Sequence, residues 1–281
     1  MDETLRWEAS IGAFVNVLEF SPQSWTDQLA ELRRLDHRGH VEVWLEWMPR
    51  TPEHNRLLRD CFAGEVTTVH APFLDLSLVS RLDEFRHLSI QRVSDVCGLA
   101  AELGSRVVTL HAGSYPFFDS RQAALDRLAD SYRRIKAPHP SMSIALENMS
   151  GRGGATREIF AHLEESVEIL DRIPDIEFTL DIGHAIQNGD DYAGFLAQYG
   201  GSVANIHLHD GVHLGSSHLR LGAGELDVAK FVTACVTSGY NGFISLETIG
   251  AECTRESWRT LLATLENSNV DLPWADQPWV P

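Results

Sequence analysis

The sequence predicts an α/β fold, a single (β/α)8 TIM barrel spanning residues 1–281, on three observations. Short apolar segments recur along the chain, each closes on a polar residue, and helical patterns lie between them. Six segments carry the repeat: EVTTVH at 65–70, RVVTLH at 106–111, SIALE at 143–147, IEFTLD at 176–181, VANIH at 203–207 and FISLE at 243–247. Their last residues, His70, His111, Glu147, Asp181, His207 and Glu247, are 41, 36, 34, 26 and 40 positions apart. Each interval holds a strand, a helix and two loops, and eight units of about 35 residues use up the chain.

In chain order, IGAFVNVL at 11–18 and HVEVWLEW at 40–47 supply strands one and two, and the six segments above supply strands three to eight. Between strands three and four, Phe85, Leu88, Val93, Val96, Leu99 and Leu103 recur at mostly three- to five-residue steps. Ile159, Leu163, Val167 and Leu170 do the same after strand five. Such spacing marks amphipathic helices with one buried stripe, and strands alternating with helices imply a parallel sheet.

Alternation within the strands distinguishes a closed barrel from an open sheet. Successive side chains point to opposite faces, so Thr68, Thr109, Ala145, Thr179, Asn205 and Ser245 share a face with the polar ends. The residues between, Val69, Leu110, Leu146, Leu180, Ile206 and Leu246, are all large and aliphatic. Bulky residues facing a helix ring, with small and polar ones in a cramped interior, are what a barrel requires. No linker or low-complexity tract divides the chain. The tail at 265–281, with Trp274 and Trp279, is expected to pack on the barrel or on a partner chain, as in a homodimer.

The formal charge of -17 argues against nucleic acid or anionic lipid as a partner. No apolar run approaches the roughly 18 residues of a membrane span, and the start, MDETLRWEAS, lacks the pattern of a secretory signal, so the chain reads as cytoplasmic. Cys61, Cys97, Cys235 and Cys253 are scattered, without a CxxC pair, and read as reduced, inert thiols.

The polar ends carry the chemistry. The stretch NIHLHDG at 205–211 puts His207, His209 and Asp210 at the close of a strand, and such groups are costly to bury without partners. In a barrel of this kind the carboxyl ends of the strands converge. Three carboxylates and three imidazoles sharing one cavity call for a cation, and the mixed set suits Mn²⁺, Co²⁺ or Zn²⁺.

These residues resemble a known family. VHAPF, LHAGS, LENMSGRGG, LDIGH, HLHD, HLRLGAGELD and LET, in this order over about residues 60 to 250, are similar to the xylose isomerase-like barrel superfamily. It includes sugar epimerases and endonuclease IV. The resemblance to the ketose epimerases implies one metal held by Glu147, Asp181, His207 and Glu247, with Glu147 and Glu247 also acting as acid and base. His207 is selected over His209 because the family's metal histidine lies three positions before an acid, here Asp210. His184 matches a substrate-binding histidine, whereas the family's arginine six residues after the metal histidine is His213. The resemblance to endonuclease IV implies up to three zinc ions, with His70, His111, His184 and His218 as additional ligands. Its ninth ligand, an aspartate, is replaced by Ser216.

Candidate substrate contacts are His184, His209, Trp47, whose indole can stack on a sugar ring, and Arg152 in the GRGG loop of 151–154. His209 is equally open to a second ion or to plain hydrogen bonding. Glu46 belongs with Trp47 at the pocket wall, Arg50 with Arg152 for an anionic group, and the GAG of 222–224 shapes the loop carrying His218. His40, His54, His87, His139 and His162 receive no role. The expected function is a divalent-metal-dependent isomerase or epimerase acting by proton transfer on a small sugar-like hydroxy-carbonyl compound. The competing readings are an endonuclease IV-like phosphodiester or phosphate hydrolase with two or three zinc ions, and a barrel that binds metal or ligand without turnover.

Overall fold

The computed structural model describes residues 5–7, 9–17, 21–34, 39–46, 51–151, 155–268 and 270–271. Eight parallel strands close a barrel in chain order: β1 (Ser10–Asn16), β2 (Val41–Trp44), β3 (Thr67–His70), β4 (Val107–Leu110), β5 (Ser143–Glu147), β6 (Glu177–Asp181), β7 (Val203–Leu208) and β8 (Phe243–Leu246). β8 pairs with β1, which closes the ring. The register sets His207 level with Asp181 on one side and Ser245 on the other.

The predicted division between the two faces is present. Val69, Leu110, Leu146, Leu180, Ile206 and Leu246 are all buried, and so are Thr68, Thr109, Ala145, Thr179, Asn205 and Ser245. Inside the barrel several polar atoms pair with one another: the Thr109 and Thr179 hydroxyls meet at 2.8 Å, and Asn205 Nδ2 donates to Thr109 Oγ1 at 3.3 Å. Outside, Phe178 of β6 packs against Phe160 and Phe195, with ring centroids 5.3 and 5.8 Å apart.

The strands are joined by α1 (Pro22–Arg34), α2 (Pro52–Cys61), α3 (Asp83–Glu102), α4 (Arg121–Lys136), α5 (Ser166–Arg172), α6 (Ile182–Asn188), α7 (Tyr192–Tyr199) and α8 (Val228–Thr237), and α9 (Ala251–Asn267) follows β8. Side-chain caps start several of them: Thr51 accepts from the His54 N–H before α2, Ser120 from Ala123 before α4, and Asp227 from Lys230 before α8. His54 completes the α2 capping box. Among the described residues no helix is long and apolar enough to cross a membrane.

The helical patterns need correction in detail. α3 buries Ile90, Val93, Val96, Cys97 and Leu99 but leaves Leu88 exposed. The stretch around Ile159–Leu170 is not one helix: a 3-10 turn at Leu163–Glu165 precedes α5, and Val167 faces outward. A small antiparallel pair, Ser114–Pro116 with Thr156–Glu158, was not anticipated. In the tail, 265–267 complete α9 and Val270–Asp271 pair with Leu5–Arg6 of the same chain. Trp274 and Trp279 lie outside the described residues. Cys97 and Cys235 are buried and Cys61 and Cys253 partly so, all four as free thiols, and burial pushes the Cys97 thiol up to about 12.

Candidate metal centre

His70, Glu147 and Asp181 end their strands, His111 and Glu247 follow β4 and β8 by one position, and His207 is the penultimate residue of β7. All therefore arrive at the carboxyl ends of the strands. Potential ligand atoms approach within 4.8 Å in three groups: Glu147, Asp181, His207 and Glu247; His70, His111 and Glu147; and His184, His209 and His218.

Glu147 joins the first two groups. Its Oε2 lies 2.9 Å from His111 Nε2 and 3.3 Å from His70 Nε2, and its Oε1 is 3.1 Å from His207 Nδ1. His207 Nδ1 is also 3.1 Å from Glu247 Oε2, yet that buried oxygen has no hydrogen-bond partner. One ring N–H between two carboxylates leaves Glu247 Oε2 without a hydrogen bond, and a cation among Glu147, Asp181, His207 and Glu247 would take up that unmet lone pair. Three carboxylates and one imidazole fit a divalent first-row ion.

Contacts behind the ligands fix which nitrogen of each ring faces the centre. His70 Nδ1 donates to the Ala71 carbonyl at 2.8 Å and His184 Nδ1 to the Asn148 carbonyl at 3.0 Å. Both leave Nε2 free to ligate. Asp181 caps α6 by accepting the His184 N–H at 2.7 Å, and the buried Asn148 amide clamps the Asp181 backbone through bonds of 2.8 and 3.0 Å.

His209 behaves differently from His184 and His218. His209 Nδ1 lies 2.9 Å from the His218 backbone nitrogen and 3.1 Å from the Asp210 carbonyl oxygen, and Nε2 lies 3.0 Å from Asp181 Oδ2. With both nitrogens engaged, His209 braces Asp181 and offers no lone pair, and the third group keeps only His184 and His218 as donors. The ring lies directly over Gly183, where a Cβ would come within 1.9 Å of it. His218 is held at φ 55°, in the left-handed region that residues other than glycine adopt uncommonly. Four backbone amides, from Gly211, Gly222, Gly224 and Leu226, converge on the Asp210 carboxylate at 2.8 to 2.9 Å, so the GAG turn wraps Asp210 and presents His218.

Charge coupling is strong throughout. Burial alone would raise the Asp181 carboxyl, but the His184 and His209 imidazoles hold it down to about 2. Glu147 is held well below the usual carboxylate range against its own burial, chiefly by His207 and His111. Burial would lower His207, yet the Glu147, Glu42 and Glu247 carboxylates raise it well above an ordinary imidazole. At His111 and His218 burial prevails and lowers both.

Above the centre opens a cavity of about 500 Å³. Its wall is aromatic: Trp44 stacks on Phe73 with ring centroids 5.9 Å apart, Phe73 stacks on His111 at 4.2 Å, and Phe14 meets His207 edge-on at 5.1 Å. Leu32 and Ile249 extend the apolar surface, and among the described residues no lysine or arginine lines it.

A family model described as xylose isomerase-like TIM barrel matches residues 28–268. The chain belongs to this family. Uncharacterized protein MJ1311 of Methanocaldococcus jannaschii is 28% identical over 258 residues, covering 88% of this chain and 87% of its own length. The crystal structure of a D-tagatose 3-epimerase-like protein superposes with a TM-score of 0.78 at 26% identity, over 92% of this chain and 98% of that one. Endonuclease IV from Thermus thermophilus shares the fold, with a TM-score of 0.69 at 20% identity over 92% and 99% of the two chains.

Within this xylose isomerase-like barrel, the structure gathers His70, His111, Glu147, Asp181, His184, His207, His209, His218 and Glu247 at one end. Trp47, Arg50 and Arg152 lie outside the described residues. Glu46 does not line the cavity; its carboxylate receives the Phe73 and Leu74 amides at 3.4 and 3.2 Å and thereby steadies Phe73. Trp44 lines the wall. Two further buried residues were overlooked: Asn148, and Glu42, whose carboxylate reaches His207 from below. His40, given no role, is part of the same buried network. Alternation along HVEVWLEW places His40, Glu42, Trp44 and Glu46 on one strand face, a signal present in the sequence.

Proposed function

We propose that this protein is a divalent-metal-dependent isomerase or epimerase that moves a proton beside the carbonyl of an uncharged, sugar-like substrate. The observation that carries the reading is the pairing of Glu147 and Glu247. Both lie 3.1 Å from one histidine nitrogen, at the floor of an aromatic cavity without a described lysine or arginine. Glu147, 1% exposed and tied to three imidazoles, serves best as a fixed ligand and proton holder; Glu247, 21% exposed, faces the cavity and can take a proton from a bound molecule. A metal held by Glu147, Asp181, His207 and Glu247 would polarise the substrate's carbonyl and hydroxyl oxygens. Trp44 and Phe73 offer apolar faces to a ring and keep water from the reacting carbon. The D-tagatose 3-epimerase-like relative supports this substrate class.

A second reading draws on the additional donors His70 and His111, which with Glu147 could hold a second ion. Paired ions can clamp the attacking and leaving oxygens of a phosphoester. The absence of lysine and arginine among the described lining residues weighs against phosphodiester recognition. The test is to incubate the metal-loaded protein in D₂O with a panel of ketoses and aldoses and follow deuterium at the carbon beside the carbonyl by NMR. Parallel reactions contain bis(4-nitrophenyl) phosphate and an abasic oligonucleotide. Deuterium incorporation without ester cleavage is expected; cleavage without exchange would transfer the assignment to the second reading.

A further inference from the structure

Glu42 sits on β2 inside the barrel, fully buried, two residues below Trp44. A carboxylate there is expensive unless every lone pair is met. It is met from three sides: Asn205 Nδ2 donates to Oε2 at 2.8 Å, the Ser245 hydroxyl donates to the same oxygen, and His207 Nε2 lies 3.2 Å from Oε1.

The direction of each bond follows from proton count. A hydroxyl carries one proton, and that of Ser245 goes to Glu42, so His40 Nε2 must donate to Ser245 Oγ, 2.8 Å away. His40 Nδ1 then accepts from the Ser10 hydroxyl at 3.1 Å. The chain from Ser10 through His40 and Ser245 therefore donates inward and ends on Glu42, which can only accept. Its other oxygen accepts from His207 Nε2–H. With that proton pinned on Nε2, Nδ1, which faces Glu147 and Glu247, is the nitrogen whose lone pair a bound metal would take.

We propose that Glu42 is a positioning residue for the metal centre, fixing the tautomer and orientation of His207 from inside the barrel. This rests on the reading of Glu147, Asp181, His207 and Glu247 as a metal site, and not on the reaction performed there. A volume-filling role alone would be met more cheaply by an aliphatic side chain, as at the neighbouring outward positions. Glu42 instead joins β2 to β7 and β8 through three directed bonds.

The experiment compares the full-length wild type with Glu42→Gln. Zinc affinity is measured by chelator competition, and the ligand field by the visible spectrum of the cobalt-loaded protein. Outer carboxylate partners of metal-bound histidines typically contribute 10–100-fold in affinity. Glu42→Gln is therefore expected to lose zinc affinity within that range and to alter the cobalt spectrum. A variant with wild-type zinc affinity and an unchanged cobalt spectrum would overturn the proposal, whatever its melting temperature. A second measurement needs no variant at Glu42: long-range ¹H–¹⁵N correlation spectra of the zinc-loaded wild type, with His207 assigned by its loss in His207→Asn. The His207 proton is expected on Nε2, and a proton on Nδ1 would overturn the proposal equally. Failure of the wild type to bind zinc at all is a separate outcome; it removes the metal reading, and this proposal with it.

Discussion

Replacing Glu147 by Gln removes the charge that ties two groups of ligands together while keeping the side-chain volume. Glu147 is 1% exposed and stands 2.9, 3.1 and 3.3 Å from His111, His207 and His70, so the variant sets an amide against three buried imidazoles. Breaking a buried ion pair from one side costs about 3–5 kcal/mol. At about 2–4 °C per kcal/mol for a chain near this size, the metal-free protein should melt roughly 6–20 °C lower. The metal effect is also calculable. Sites of four protein ligands bind zinc with about 10–16 kcal/mol, or about 3 per ligand, and each 1.4 kcal/mol is tenfold, so affinity should fall at least ~100-fold. Thermal melts with and without chelator, together with zinc competition, measure both. A variant melting within 2 °C of the wild type and binding zinc within about threefold of it would refute the placement of Glu147 at the hub.

Glu247→Gln also replaces a charged ligand, so metal affinity should fall as for Glu147→Gln; at saturating metal the amide still cannot accept a proton and turnover should be down by about 10²–10⁴-fold, and unchanged turnover would remove Glu247 from acid–base chemistry. Gly183→Ala places a Cβ 1.9 Å from the His209 ring, which must shift; a loss of about 1–3 kcal/mol is expected in urea denaturation, and wild-type stability would contradict the close approach. Acid sensitivity has a defined sign. Glu42 and Asp181 are depressed to about 2 in the folded metal-free protein, against burial that would raise them, by His207 and by His184 with His209 respectively. Depressed carboxyls contribute stability that is fully present above their unfolded values near 4 and is lost as pH falls toward 2, about 2–3 kcal/mol each. Urea unfolding of metal-free protein should therefore weaken steeply between about pH 4 and 2, and a flat profile there would contradict the buried network.

The barrel was legible because two periodicities agreed. The polar strand ends recur at nearly one unit length, and alternation within each strand places Thr68, Thr109 and Thr179 on the same face as His70, His111 and Asp181. Six strands could be found from that pattern, and the apolar runs at 11–18 and 40–47 supplied the other two. What escaped depends on contacts between distant segments. Glu42 lies two positions inside its strand, away from the polar end that drew attention, although its face was readable. The role of His209 depends on a backbone amide nine residues on and a carboxylate on another strand, neither of which spacing reveals. The pair Ser114–Pro116 and Thr156–Glu158 consists of three-residue strands, too short to show a period. Leu88 and Val167 fit a helical repeat by residue type yet face outward, since apolar residues on a surface are common.

The most direct test is the metal content of the full-length protein, by elemental analysis after purification without chelator or added metal, beside Glu147→Gln prepared in the same way. The structure's strand-end carboxylates and imidazoles predict at least one equivalent of manganese, cobalt or zinc per chain in the wild type, lost in Glu147→Gln. Two equivalents would mean that His70 and His111 also ligate. No stoichiometric metal in the wild type, together with no binding of manganese, cobalt or zinc on titration, would contradict the account at its centre.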